Sequence, residues 1–192
     1  MSQQAVTLVF DIGKTTKKVL VFDQDFHVVE EQTETFSEKS DEDGFPSENL
    51  DALTQWVNAK LDNFLNHREF FVTHINFSTY GASLVHLGGE GNPLAFYNYL
   101  KPLPENCRNE FLSNYNSKND LLTRTASPYL GFLNSGLQLY WLKHVRPKQF
   151  SSIVTSLHFP QYFPFLLTKK KFSDITSIGC HTMLWDFEKQ DY

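Results

Sequence analysis

The chain opens on two short apolar runs, Leu8-Val9-Phe10 and Val19-Leu20-Val21-Phe22, separated by the polar stretch Asp11-Ile12-Gly13-Lys14-Thr15-Thr16-Lys17-Lys18. β-Branched and aromatic residues dominate both runs, so the pattern predicts a β-hairpin with strands at about Val6–Asp11 and Lys17–Asp23. Gln24-Asp25 makes a tight connection to a third strand at about Phe26–Glu31. That strand extends toward Phe36 through acidic residues that suit an exposed edge. Ser37–Ser47 is polar and acidic, with Asp43-Gly44 as a turn signal, and reads as a surface loop.

From about Glu48 to Asn66 the period changes. Leu50, Leu53, Trp56, Val57, Leu61, Phe64 and Leu65 fall on one helical face, with Glu48 and Asp51 near the positive N-terminal end. These residues read as core rather than site. Phe71–Ser78 then reads as a buried strand, so the order is meander, helix, strand, which predicts an α/β domain. Further on, Pro104–Asp120 looks like a helix and loop with Phe111, Leu112 and Tyr115 on its apolar face. Asn134–His144 is a helix with Leu137, Trp141 and Val145 as a stripe, stopped by Pro147.

Composition narrows the class. With 192 residues, of which 41% are hydrophobic, the chain can bury one good core, and its 18 Phe enlarge that core. A net charge of −5 gives no basic footprint, so nucleic acid is not an expected partner. Cys107 and Cys180 show no metal spacing and read as free thiols of an intracellular protein. The N-terminus lacks a basic region and its apolar run is cut by Asp11, so neither signal peptide nor anchor is expected. No run approaches the roughly 18 apolar residues of a membrane helix, and the expected location is cytoplasmic.

Asp11–Lys18 combines one carboxylate, a glycine, two hydroxyls and three ammonium groups in eight residues. Backbone amides, hydroxyls and lysines can meet the oxygens of a polyphosphate while the carboxylate meets a divalent ion or its waters. The Gly-Lys-Thr triplet is not a P-loop. The second glycine that a P-loop needs falls at Leu8, inside a strand, and a strand rather than a helix follows Thr16. The plain alternative is a polar hairpin with a solvated lysine cluster.

Asp-x-Gly-x-Thr-Thr-x-Lys between two apolar strands, with Phe22-Asp23 ending the second, resembles the phosphate-binding hairpin that opens the FGGY family of carbohydrate kinases. That family shares a superfamily with actin, hexokinase and heat-shock chaperones. The resemblance implies a ribonuclease-H-like (actin-like ATPase) mixed sheet flanked by helices. It further implies that Gly13, Lys14, Thr15, Thr16 and Lys18 meet the phosphates of ATP and that Asp11 holds Mg2+ directly or through water.

The resemblance continues along the chain. Thr79-Tyr80-Gly81 matches the loop that contacts the sugar in the family, where hydroxyls and amides bind a polyol and an aromatic face covers its C–H surface. In Phe96–Leu100, Tyr97 and Tyr99 are both candidates near the sugar, and the sequence does not decide which points inward; the site set taken forward is Thr79, Tyr80, Gly81 and Tyr99. Trp141-Leu142-Lys143, Pro147-x-x-Phe150, Pro160-x-Tyr162, Leu167-Thr168 and the segment Ser173–Asp186 follow in family order, and the His181-Thr182 pair is a further candidate for substrate contact. Three departures stand out: Gly88 where an Asp is common, Lys101-Pro102 instead of Asp-x-Arg, and Lys169 where a Gly closes the motif.

Family members are more than twice this length, with two domains closing over ATP and sugar. Their general-base aspartate lies in a motif beyond the position of Tyr192. The expectation is therefore a single N-terminal domain over residues 1–192, with the C-terminal ATP-binding domain absent. It would form the sugar- and phosphate-binding part of an ATP-dependent kinase acting on a sugar or polyol hydroxyl, inactive alone. The alternatives are a non-catalytic sugar-binding or assembly module, and an actin- or chaperone-like nucleotide-binding domain.

Overall fold

The computed structural model describes residues 3–119 and 121–192. Strand β1 (Gln4–Ile12) pairs antiparallel with β2 (Lys17–Phe22), Asp11 opposite Lys18 and Ile12 opposite Lys17, which leaves Gly13–Thr16 as the tip. Alternation sorts the two faces. Val6, Leu8, Phe10 and Ile12 of β1 and Val19 and Val21 of β2 are buried, while Thr7, Val9, Asp11, Lys18 and Leu20 point to the other face and are half-buried. Strand β3 (Val28–Glu34) pairs antiparallel with β2 and is exposed, as expected of an edge. It starts later than the apolar pattern predicted because Phe26 takes the left-handed conformation (φ 61°) in a turn where Asp23 accepts from the amides of Asp25 and His27.

Past β3, one ribbon and a helix precede the return to the sheet. Strands β4 (Lys39–Ser40) and β5 (Pro46–Ser47) form a two-stranded ribbon, so Ser37–Ser47 is not the plain surface loop that its polarity suggested. Its acids have distant partners. The ammonium of Lys101 lies between Asp41 and Asp43, Arg146 pairs with Glu42 and Asp43, and Ser47 donates to the Phe96 carbonyl. Helix α1 (Leu50–Leu65) is capped by Asn49, whose side chain accepts from the amide of Ala52. Leu53, Trp56, Val57, Leu61 and Phe64 of its predicted stripe are buried, whereas Leu65 is exposed.

Strand β6 (Phe70–Thr79) then lies parallel to β1, giving the sheet order β3-β2-β1-β6. The four predicted strands thus share one mixed sheet. The reading of Phe71–Ser78 as a buried strand is corrected: only Phe77 is buried, and Phe71 and Ile75 are exposed. An unbroken apolar-aromatic run suggested cover on both faces, but β6 is an edge strand.

Strands β7 (Leu84–Leu87), β8 (Pro93–Phe96) and β9 (Thr155–His158) make a second, antiparallel sheet in the order β8-β7-β9. Around it lie α2 (Glu105–Asn119), α3 (Leu121–Arg124), a 3-10 turn (Gly131–Leu133), α4 (Ser135–Val145), α5 (Pro147–Ser152), α6 (Phe159–Thr168) and α7 (Ile175–His181). The main core joins the inner face of the mixed sheet to α1, α6 and residues Val85, Leu87 and Phe96 of the second sheet. Tyr97, Cys107, Phe132, Trp141 and Leu142 form a second core beneath α4. Pro147 opens α5, as its missing N–H allows at a first helical turn, and Val145 is exposed, so the α4 stripe consists of Leu137 and Trp141. No helix among the described residues is long and apolar enough to cross a membrane.

One core residue makes stability depend on pH. His86 on β7 is fully buried, with Nδ1 2.8 Å from Ser156 Oγ, and burial lowers its pKa to about 4. Because the folded chain resists protonation there and the unfolded chain does not, stability should be complete above about pH 6.5 and fall as pH drops toward 4. Over that window the loss is expected to reach about 3 kcal/mol, since one pKa unit corresponds to about 1.4 kcal/mol. Urea titrations at pH 7 and pH 5 on the wild-type chain and His86→Phe check this; equal pH slopes would remove His86 as the cause.

Candidate active site

Parallel pairing of β1 with β6 builds the site. It sets Asp11 beside Ser78 and Ile12 beside Thr79, and the amide of Tyr80 donates to the Ile12 carbonyl at 3.2 Å. The Gly13–Thr16 tip and the Thr79–Gly81 loop therefore leave the carboxyl ends of adjacent strands together, where ligands bind in α/β sheets.

At the tip, a Cβ on Gly13 would lie 2.8 Å from the Thr16 carbonyl oxygen, so the turn closes only around glycine. Thr15 and Thr16 are exposed. Asp11 is half-buried and forms no ion pair or hydrogen bond with the described residues, a carboxylate suited to a hydrated divalent cation. Lys18, opposite Asp11, donates to Glu31 at 2.7 Å, and that hydrogen-bonded carboxylate holds its pKa above the usual lysine range.

Lys14 and Lys17 differ from that pattern. Lys14 pairs with Glu38 and, at 3.6 Å, with Glu48, and its ammonium lies over the ring of Tyr80, 5.9 Å from the centroid. Lys17 is buried: its ammonium lies 3.2 Å from Glu48 Oε1 and donates to the Lys14 carbonyl at 3.1 Å. The Glu48 side chain is only 3% exposed.

In the loop, Thr79 Oγ1 donates to the Tyr80 carbonyl at 2.8 Å. The Tyr80 ring packs 5.7 Å from that of Tyr99 and 5.1 Å from that of Phe159. Burial, and after it the negative charge of Glu48, push the Tyr80 phenol pKa well up. The left-handed residue of the loop is Ala82 (φ 62°) and not Gly81, and the Ala82 carbonyl accepts from buried Gln138 of α4 at 3.0 Å.

The candidates from sequence thus fall into two adjacent groups, with Asp11, Gly13, Lys14, Thr15, Thr16 and Lys18 at the hairpin and Thr79, Tyr80, Gly81 and Tyr99 at the loop. Lys14 and Tyr80 connect them. Tyr97 does not join: its ring stacks edge-on against Trp141 in the second core and its hydroxyl bonds Glu42 and Gln149. Thr182 is buried and donates to the Ile178 carbonyl, while the side chain of His181 lies outside the described residues. Glu48, Lys17 and Gln138 were not anticipated. For Lys17 a signal existed: it alternates with Val19 and Val21 on the inward face of β2, so its ammonium required a buried partner.

Residues 6–192 match the family model for the N-terminal domain of the FGGY family of carbohydrate kinases. The chain belongs to that family. Among solved structures, a carbohydrate kinase from Novosphingobium aromaticivorans superposes with a TM-score of 0.84 at 30% identity, covering 100% of this chain and 39% of its own. A gluconate kinase from Lactobacillus acidophilus gives 0.80 at 19% identity, covering 98% and 38%. A Plasmodium falciparum glycerol kinase solved with ADP gives 0.77 at 20% identity, covering 100% and 40%. The latter two speak to fold alone. This FGGY chain spans about two fifths of the length of these neighbours. No curated protein matches it in sequence.

Proposed function

We propose that this FGGY domain is the sugar- and phosphate-binding part of an ATP-dependent kinase that phosphorylates a hydroxyl of a sugar or polyol. The observation that carries the reading is the β1–β6 pairing, which sets a phosphate-type hairpin and a Thr-Tyr-Gly loop side by side. Phosphoryl transfer asks a protein mainly for alignment and charge neutralisation. In this reading the Gly13 amide and the Thr15 and Thr16 hydroxyls bind phosphate oxygens, with Lys14 and Lys18 supplying positive charge beside them. Thr79, Tyr80, Gly81 and Tyr99 bind and orient the acceptor. Asp11 would hold Mg2+, which when bound supplies charge neutralisation at the transferring group.

A second, C-terminal domain would complete the nucleotide cleft and supply the general base, in keeping with the share of each neighbour that this chain covers. Because a positioned base contributes about 10²–10⁴-fold, the 192-residue chain alone should show no turnover and act only as a binding module. A cytoplasmic location is part of this reading, supported by ATP as donor and by Cys107 and Cys180 forming no disulfide.

Backbone NMR of the 192-residue chain tests the reading. Xylulose, gluconate and glycerol, added singly, should include one that shifts the Thr79–Gly81 and Tyr99 signals, while Mg·ADP should shift Gly13–Lys18. Asp11→Asn should weaken the Mg2+-dependent part of nucleotide binding about tenfold, roughly 1.4 kcal/mol, and leave the sugar response unchanged. Shifts elsewhere, or Mg2+ dependence surviving in Asp11→Asn, would overturn the assignment.

A further inference from the structure

Glu48 is a carboxylate with 3% side-chain exposure at the entry to α1, and it receives groups from both halves of the site. From the hairpin come Lys17 at 3.2 Å and Lys14 at 3.6 Å; the loop joins through Tyr80, whose ring lies under the Lys14 ammonium, 5.9 Å from its centroid, and whose phenol pKa the Glu48 carboxylate helps to raise. Lys17 passes the constraint to the backbone by donating to the Lys14 carbonyl at 3.1 Å. Tyr80 passes it back, since its amide donates to the Ile12 carbonyl one residue before Gly13. The contacts therefore close a circuit: Ile12, the tip, Lys17, Glu48, Lys14, Tyr80 and Ile12 again.

We propose that Glu48 is a positioning residue that locks the hairpin tip and the Thr79–Ser83 loop into one unit, so that neither half of the site can move without the other. Under the kinase reading above, on which the roles of the two halves rest, it fixes the distance between the phosphate and acceptor sides. A buried ammonium left without its carboxylate is strongly unfavourable, so Lys17 cannot hold the tip when Glu48 loses its charge. The Tyr80 ring, packed against Tyr99 and Phe159, loses a support at the same time, because the Lys14 ammonium that lies over it is held by Glu48 at 3.6 Å. The exposed ion pair between Lys39 of β4 and Asp51 in the first turn of α1 has no such reach.

Amide hydrogen exchange on the 192-residue chain, without any ligand, tests this. Glu48→Gln keeps size and an acceptor oxygen but removes the charge. It should speed exchange about tenfold or more at Gly13–Lys18 and Tyr80–Ser83 together and weaken the Tyr80–Tyr99 ring contact, leaving Leu137–Leu142 unchanged. Asp51→Asn serves as the control with no effect at either segment. If Glu48→Gln unfolds the chain, Lys17→Met/Glu48→Gln, which leaves no buried unpaired ammonium, is read in the same way. Faster exchange at the hairpin alone, at neither segment, or equally through the chain would overturn the proposal. Failure of the kinase reading gives a different result: sugars leave Thr79–Gly81 unshifted in the wild-type chain while the exchange coupling persists.

Discussion

A Lys101→Met chain should be less stable than wild type by on the order of 3–5 kcal/mol, the cost of breaking a buried ion pair from one side. Lys101 is 8% exposed, and its ammonium lies between Asp41 and Asp43 and over the rings of Tyr97 and Trp141, 5.1 and 5.3 Å from their centroids. Methionine keeps the stem and its packing but leaves the Asp41 carboxylate, 3% exposed, with no cation against it. The Asp43 carboxyl, which Lys101 first and Arg146 after it hold below the usual range, moves part of the way back toward it, so part of the stabilisation that acid removes from wild type is already lost in the variant. Urea unfolding at pH 7 measures the loss. Lys101→Met/Asp41→Leu should recover most of it, because an apolar pair replaces the stranded charge. A single-variant loss under about 1 kcal/mol would show that the β4–β5 ribbon is not held by this contact.

Gly136→Ala should cost on the order of 3 kcal/mol and lower the melting temperature by about 10 °C. Gly136 sits in the first turn of α4, where an added Cβ would lie 2.3 Å from the Thr182 carbonyl oxygen and 2.7 Å from Leu184 Cγ. The Gly136 amide also donates to that carbonyl at 2.9 Å, so the methyl both clashes and displaces a hydrogen bond between α4 and the C-terminal segment. Gly89→Ala is the matched control, since a Cβ there meets nothing within 4 Å, and it should change stability by less than about 0.5 kcal/mol. Calorimetry on both variants decides it. Equal melting temperatures would mean that the C-terminal segment does not pack on α4 in solution.

What was legible in the sequence was local. The hairpin announced itself through two apolar strands around a polar tip, and α1 through its period, because each of these patterns is complete within twenty residues. What was not legible depended on partners far along the chain. Glu48 looked like a favourable acid at a helix N-terminus, yet it pairs with Lys17, 31 residues earlier. Asp41 looked solvated until Lys101, 60 residues later, was found against it. β6 failed for the complementary reason: apolar composition records that burial is favourable, not which neighbour provides it. Within the site, the tip and loop were each visible as motifs, but their adjacency required the β1–β6 register, and Gln138 entered only through the backbone carbonyl of Ala82.

Strand β1 also works as a ruler. Side chains on it alternate between core and open face, and both halves of the site are counted from its end, Asp11 beside Ser78 and Ile12 beside Thr79. Individual residues along it can change within the apolar class while the spacing is kept. A single deletion between Val6 and Phe10 cannot be absorbed in this way, because it would exchange the two faces, carry the Asp11 carboxylate toward the core and slide the tip one step out of line with Tyr80. Drift in this segment is therefore expected to be free in identity and forbidden in length.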